Sequence, residues 1–125
     1  MDILIVDDEK DLCTLLSLVC IRKNYTVSCA YNLQDALSQI ESFPKLMFLD
    51  NNLPDGLGSE MIEQLKFRSP LTKIVFISAS SDKKTANHAL IRGVDYFLDK
   101  PFQLQGVREI LSQMQPGQFP IQKVL

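Results

Sequence analysis

The chain has one histidine and three cysteines in 125 residues, and both scarcities exclude chemistry. A single imidazole, His88, rules out any metal or acid–base site that needs two. Cys13, Cys20 and Cys29 are odd in number and show no Cys-x-x-Cys or Cys/His spacing. Neither a disulfide framework nor a zinc site is expected, and all three read as reduced thiols. An excess of charge is also missing. Thirteen basic against 15 acidic residues leave a formal net charge of −2, which argues against a surface dedicated to nucleic acid or anionic lipid. No apolar run approaches the roughly 18 residues of a membrane span. No basic region, apolar run and cleavage site follow one another as in a signal peptide. A cytoplasmic protein is expected, and Met1 directly before the first strand pattern reads as the N-terminus of a protein. There is no internal repeat.

What is present fits one ordinary globular domain: 46% hydrophobic residues, five Gly and six Pro, on a chain long enough to bury roughly two-thirds of its unfolded surface. Ile3-Leu4-Ile5-Val6 is an apolar run without polar alternation, as in a strand covered on both faces. Leu12, Leu15, Leu16, Val19 and Cys20 then recur at helical spacing from Asp11 to Lys23, with Asn24 as the stop before a strand over Thr26 to Ala30. Asn32 is placed to cap a helix carrying Leu33, Ala36, Leu37 and Ile40, with Asp35 as the acid of a capping box. Leu46 to Leu49 is the third strand, ended by Asp50, and Met61, Ile62 and Leu65 mark the next helix.

Lys73 to Ile77 is the fourth strand, with Ser78 to Ser81 at its exit. A helix from Asp82 to Arg92 turns Ala86, Ala89 and Leu90 to the core, and Gly93 caps it. Tyr96 to Leu98 is a fifth strand running into Asp99-Lys100-Pro101, and a last helix spans about Gln103 to Met114. Strands alternating with helices predict an α/β domain, a doubly wound sandwich with a parallel five-stranded sheet. The flavodoxin-like order 2-1-3-4-5 is expected, with ligands above the carboxyl ends of strands one and three. Residues 1–115 form this domain, and the Pro-, Gly- and Gln-containing 116–125 reads as a tail or linker.

Reading only the strand exits gives Asp7 and Asp8, Asp50, Ser78 and Lys100, all expected to face one crevice. Three crowded carboxylates repel one another unless a cation holds them, and hard oxygen ligands suit Mg²⁺. Such a site serves phosphoryl chemistry, with a carboxylate as nucleophile and Lys100 and Ser78 contacting the phosphoryl oxygens.

In this order and at these separations, the chain from Asp2 to about Met114 resembles the receiver domain of two-component response regulators. The acidic pair Asp7-Asp8, Asp50, the loop residues Pro54 and Gly58, the pair Ser78-Ala79 and the run Lys100-Pro101-Phe102 carry the likeness. The resemblance implies that Asp50 accepts a phosphoryl group from a phosphohistidine on a partner histidine kinase or phosphotransfer protein. It implies Mg²⁺ held by Asp50, by Asp8 directly, by Asp7 mainly through water and by the backbone carbonyl of Asn52. Ala79 leaves room for the phosphate, and Lys100 pairs with it and is joined to Pro101 by a cis bond. Ser78, in place of the commoner Thr, and Phe97 form the switch.

The output surface implied is the helix near Asp82, strand five and the last helix, turned toward an output domain, a docking partner or a second phosphorylated copy. Leu18 and Ile21 fall outside the assigned core, on the helix where the family docks its kinase, and Cys13 sits on that side too. A haloacid dehalogenase-like phosphatase would carry an acid where Asn52 stands. A flavin carrier would need a Gly- or Ser-rich loop where Asp7-Asp8-Glu9 stands. A degenerate receiver acting only as a binding module would lack site residues that are present.

Overall fold

Five strands, β1 (Ile3–Val6), β2 (Val27–Ala30), β3 (Leu46–Asp50), β4 (Lys73–Ala79) and β5 (Tyr96–Lys100), pair in parallel in the order β2-β1-β3-β4-β5. This is the expected doubly wound, flavodoxin-like sheet. The structure is a computed structural model and describes residues 1–79 and 83–114. Ser80, Ser81, Asp82 and residues 115–125 lie outside the described residues, as does the side chain of Ala86. The connecting helices are α1 (Lys10–Arg22), α2 (Leu33–Gln39), α3 (Ile62–Arg68), α4 (Lys83–Ile91) and α5 (Leu104–Gln113). Among the described residues no helix is long and apolar enough to cross a membrane.

Strand side chains alternate between two cores. Ile3, Ile5, Leu46, Phe48, Val75 and Ile77 pack against Cys13 and Leu16 of α1 and Val107, Ile110 and Leu111 of α5. Leu4, Val6, Met47, Leu49, Ile74 and Phe76 pack on the other side against Leu33, Ala36, Ile62, Leu65 and Ala89 of α2, α3 and α4. Because the sheet is covered on both faces, its strands are continuously apolar rather than alternating.

Some expected details are corrected. Leu15 is 44% exposed whereas Cys13 is 1% exposed: the buried stripe of α1 runs through Cys13, Leu16, Val19 and Cys20, at steps of three and four that leave Leu15 at its edge. Cys13 therefore belongs to the core rather than to an outer patch. Leu90 is 57% exposed, and Ala89 alone of the pair turns inward. Helix α2 ends at Gln39, with Ile40 opening a 3₁₀ turn. Strand β4 continues through Ser78 and Ala79, paired with Asp99 and Lys100 of β5, so both lie within the strand. Asn24 (φ 68) and Gly93 (φ 109) take the positive backbone angles that end α1 and α4.

Candidate functional site

The alternation that builds the two cores also builds the crevice. Asp7 continues the side taken by Ile3 and Ile5, and Asp50 that of Leu46 and Phe48. Lys100 continues that of Tyr96 and Leu98, and Ala79 that of Val75 and Ile77. Period two therefore sends four residues from four strands to one face at the carboxyl end of the sheet. Carboxylate oxygens of Asp7, Asp8 and Asp50 lie within 4.8 Å of one another. Lys100 Nζ stands 3.3 Å from Asp50 Oδ1, 3.4 Å from Asp7 Oδ2 and 3.7 Å from Glu9 Oε1. Asp7 and Asp50 are buried and Asp8 is exposed. The Lys100–Pro101 peptide bond is cis.

Burial, and then the charge of Asp7, push Asp50 up from 3.8 to about 6, against the opposing pull of Lys100 and the Asn51 N–H. Burial also raises Asp7, although the Glu9 N–H and Lys100 oppose it. Burial disfavours the charge on Lys100, but Asp50, Asp7 and Glu9 outweigh it and hold the ammonium above its ordinary pKa. Asp7 Oδ1 accepts the Glu9 N–H at 2.9 Å, whereas Asp7 Oδ2 is buried, faces the Lys100 ammonium at 3.4 Å and has no hydrogen-bond partner among the described residues. A buried carboxylate oxygen left without a hydrogen bond, beside two further carboxylates that a single ammonium does not balance, fits a small, hard cation that prefers oxygen ligands.

The loop after Asp50 is fixed by its own backbone. Asn51 N donates to Ile77 O (3.1 Å), Gly58 N to Asn51 O (2.8 Å), and Ser59 N to Asn51 Oδ1 (3.0 Å). Asn52–Leu53 pairs antiparallel with Gly56–Leu57, leaving the Asn52 side chain exposed. A Cβ on Gly58 would lie 2.3 Å from Asp50 O, so only glycine lets the loop approach the aspartate's own backbone this closely. Ser78 is buried at the opposite side of the sheet from Asp50, on the face of Phe76. Phe97 is 39% exposed, with its ring edge-on to Phe76 at 6.4 Å between centroids.

The structure thus brings together Asp7, Asp8, Asp50 and Lys100, sets Ala79 beside Lys100 in register, and puts Ser78 and Phe97 on the reverse face. Sequence reasoning missed Glu9 as a partner of Lys100. It also missed the Cys13 thiol, which donates to the Asp7 carbonyl at 3.2 Å and ties α1 to the exit of β1. It missed Asp55 as well: its carboxylate accepts from Leu33 N (2.8 Å) and Gln34 N (2.9 Å) at the start of α2. No local pattern signals a bond between residues so far apart. Beside the carboxylates, a cleft of about 420 Å³ opens between α1 and the cis peptide, lined by Leu12, Leu15, Pro101, Phe102 and Leu104 among others.

Residues 3–112 match the family of response regulator receiver domains. The response regulator protein PilR of Pseudomonas aeruginosa is 34% identical over 110 residues, which are 87% of this chain and 25% of that protein. The chain spans between a quarter and a half of the length of the curated relatives it matches. Among solved structures, a CheY-like receiver domain protein from Methanospirillum hungatei superposes with a TM-score of 0.84 at 26% identity, covering 90% of both chains. A response regulator from Burkholderia pseudomallei, solved with a phosphorylated aspartic acid, a calcium ion and citrate, does so with 0.80 at 25% identity, covering 98% of this chain and 71% of that one. Sheet order, strand-end residues and family match agree, and the chain belongs to the receiver domains of two-component response regulators.

Proposed function

We propose that Asp50 is the phosphoacceptor of this receiver, taking a phosphoryl group in a Mg²⁺-dependent transfer from a phosphohistidine of a partner histidine kinase or phosphotransfer protein. The observation that carries the reading is the cluster of Asp7, Asp8 and Asp50 with Lys100 Nζ 3.3 Å from Asp50 Oδ1. A carboxylate oxygen of Asp50 attacks phosphorus, and the P–N bond breaks with its electron pair going to the leaving imidazole. Asp7, Asp8, Asp50 and the Asn52 carbonyl would hold the ion, Asp8 directly and Asp7 mainly through water. When bound, Mg²⁺ supplies positive charge that offsets the phosphoryl oxygens and orients them. Lys100 adds a second positive charge fixed in place before the reaction. Ala79, with no side chain beyond Cβ, leaves room for the incoming group.

Signalling follows from the reverse face of the sheet. The Ser78 hydroxyl turns toward the phosphoryl oxygens, and Phe97 moves inward along the Phe76 ring it already touches. The face of α4, β5 and α5 then changes shape for an output domain, a docking partner or a second phosphorylated copy. Leu18 and Ile21, exposed on α1, and the cleft beside Lys100 offer the kinase an apolar footing. In this reading the receiver unit covers residues 1–115, with 116–125 a tail or linker. It works in the cytoplasm without itself touching nucleic acid or membrane. It is a switch that catalyses only its own phosphorylation and dephosphorylation.

Incubation with Mg²⁺ and acetyl phosphate should add one phosphoryl group, stable to brief acid and lost in base. EDTA should prevent the addition. Equal labelling of Asp50→Asn would overturn the assignment.

A further inference from the structure

The loop that follows Asp50 is held at its base by Asn51, through Ile77 O, Gly58 N and Ser59 N. Its tip has a different anchor. Both carboxylate oxygens of Asp55 are engaged by α2: Oδ1 accepts from Leu33 N at 2.8 Å and Oδ2 from Gln34 N at 2.9 Å. Those two N–H groups have no partner within their own helix. They also hold the Asp55 carboxyl below its ordinary pKa, so it remains an acceptor. The third N–H of the turn, that of Asp35, goes to Asn32 Oδ1 at 2.7 Å. Helix α2 therefore has two caps, one from its own sequence and one brought from the loop after Asp50. Next to Asp55, Gly56 (φ +151) lies so close to α2 that a Cβ there would come within 3.1 Å of Leu33 Cδ1. The tip is thus pinned by polar bonds and by contact, with Asn52–Leu53 and Gly56–Leu57 laddered between tip and base.

We infer that Asp55 is a positioning residue for the metal site: by fastening the loop tip to α2 it fixes the backbone carbonyl of Asn52 beside Asp50. The inference rests on the reading of Asn52 as a metal ligand given above and assigns it a support outside the acidic cluster. A carbonyl has no side-chain rotamer to adjust, so its direction is set by whatever holds the peptide on either side. Asn51 holds one side, and on the other the ladder depends on the Asp55 anchor. Partners that orient ligands in this way are commonly worth about 10- to 100-fold in metal affinity.

The test compares Asp55→Ala with Asn32→Ala, each in the full chain. Both remove a cap from α2, but only the first releases the loop. Amide hydrogen exchange without metal should quicken at Leu53, Leu57 and Gly58 in Asp55→Ala and stay at the wild-type rate there in Asn32→Ala. A calorimetric Mg²⁺ titration should show affinity lowered about tenfold in Asp55→Ala and unchanged in Asn32→Ala, with Asp55→Asn, which keeps one acceptor, in between. Wild-type loop exchange and wild-type Mg²⁺ affinity in Asp55→Ala would overturn the inference. So would equal losses in Asp55→Ala and Asn32→Ala, since these would mean that α2 stability alone is at work. A wild-type chain that binds no Mg²⁺ would overturn the metal reading and this inference with it, and that result is visible in the wild-type titration alone.

Discussion

Replacing the proposed phosphoacceptor by its neutral isostere should stabilise the metal-free protein. Asp50 is 3% exposed, and burial together with Asp7 raises it from 3.8 to about 6. Between those values the folded chain holds a proton that the unfolded chain has released, so stability falls as pH rises through this window. At about 1.36 kcal/mol per pH unit, ionised Asp50 costs the fold about 3 kcal/mol once the pH is above 7. Asp50→Asn removes that cost but leaves Lys100 with one carboxylate fewer, so a net gain of about 1–3 kcal/mol is expected at pH 7.5. The gain should drop by roughly half at pH 5 and vanish only below about pH 3, where Asp50 is protonated in both the folded and the unfolded wild type. The chain has no tryptophan, so urea unfolding is best followed by far-UV circular dichroism, in EDTA. A variant no more stable than wild type at pH 7.5, or a gain that does not change between pH 7.5 and 5, would refute the claim that Asp50 sits ionised at the expense of the fold.

Three further outcomes follow from the same geometry. Asp8→Ala should lose Mg²⁺ binding more than Asp7→Ala, because a direct carboxylate contact contributes more than one made through water; equal losses in calorimetric titrations would remove the distinction. Gly58→Ala drives a methyl to 2.3 Å from Asp50 O and should lower stability by about 1–3 kcal/mol, read as a lower urea midpoint, while an unchanged midpoint would show that the loop yields freely. Burial pushes the thiols of Cys13 and Cys20 up to about 12, so at pH 8 roughly one in ten thousand is thiolate. Iodoacetamide should modify partly buried Cys29 first in the native protein and all three only in denaturant; rapid native labelling of Cys13 would contradict its place between α1 and the sheet.

Strand identity and order were legible because period two and unbroken apolar runs leave little choice. The same parity foretells that Asp7, Asp50 and Lys100 share a face. Helix faces were less legible. On α1, Leu15 is the more apolar residue, yet Cys13 is the one buried, because it lies on the stripe with Leu16, Val19 and Cys20 and its thiol bonds the Asp7 carbonyl. On α4, Leu90 is exposed beside buried Ala89, so hydrophobicity alone does not tell which of two neighbours faces the sheet.

The limit of the strand after Ile77 was misread because Ser78 and Ala79 look like turn residues, while the β5 ladder holds them extended. The capping of α2 was half legible. Asn32 bonds the Asp35 N–H as its spacing suggests, but the Asp35 carboxylate accepts from Gln39 Nε2 at 3.2 Å. The remaining cap, from Asp55, comes across the fold.

The measurement that bears most directly on the central claim is the location of the phosphoryl group. Protein treated with acetyl phosphate and Mg²⁺ is reduced with borohydride, which converts an acyl phosphate to an alcohol, and the modified peptide is sequenced by mass spectrometry. The expected result is a single modified position, Asp50, that disappears in EDTA and weakens in Lys100→Ala. Modification at Asp7, Asp8 or any other carboxylate with Asp50 unmodified would contradict the account.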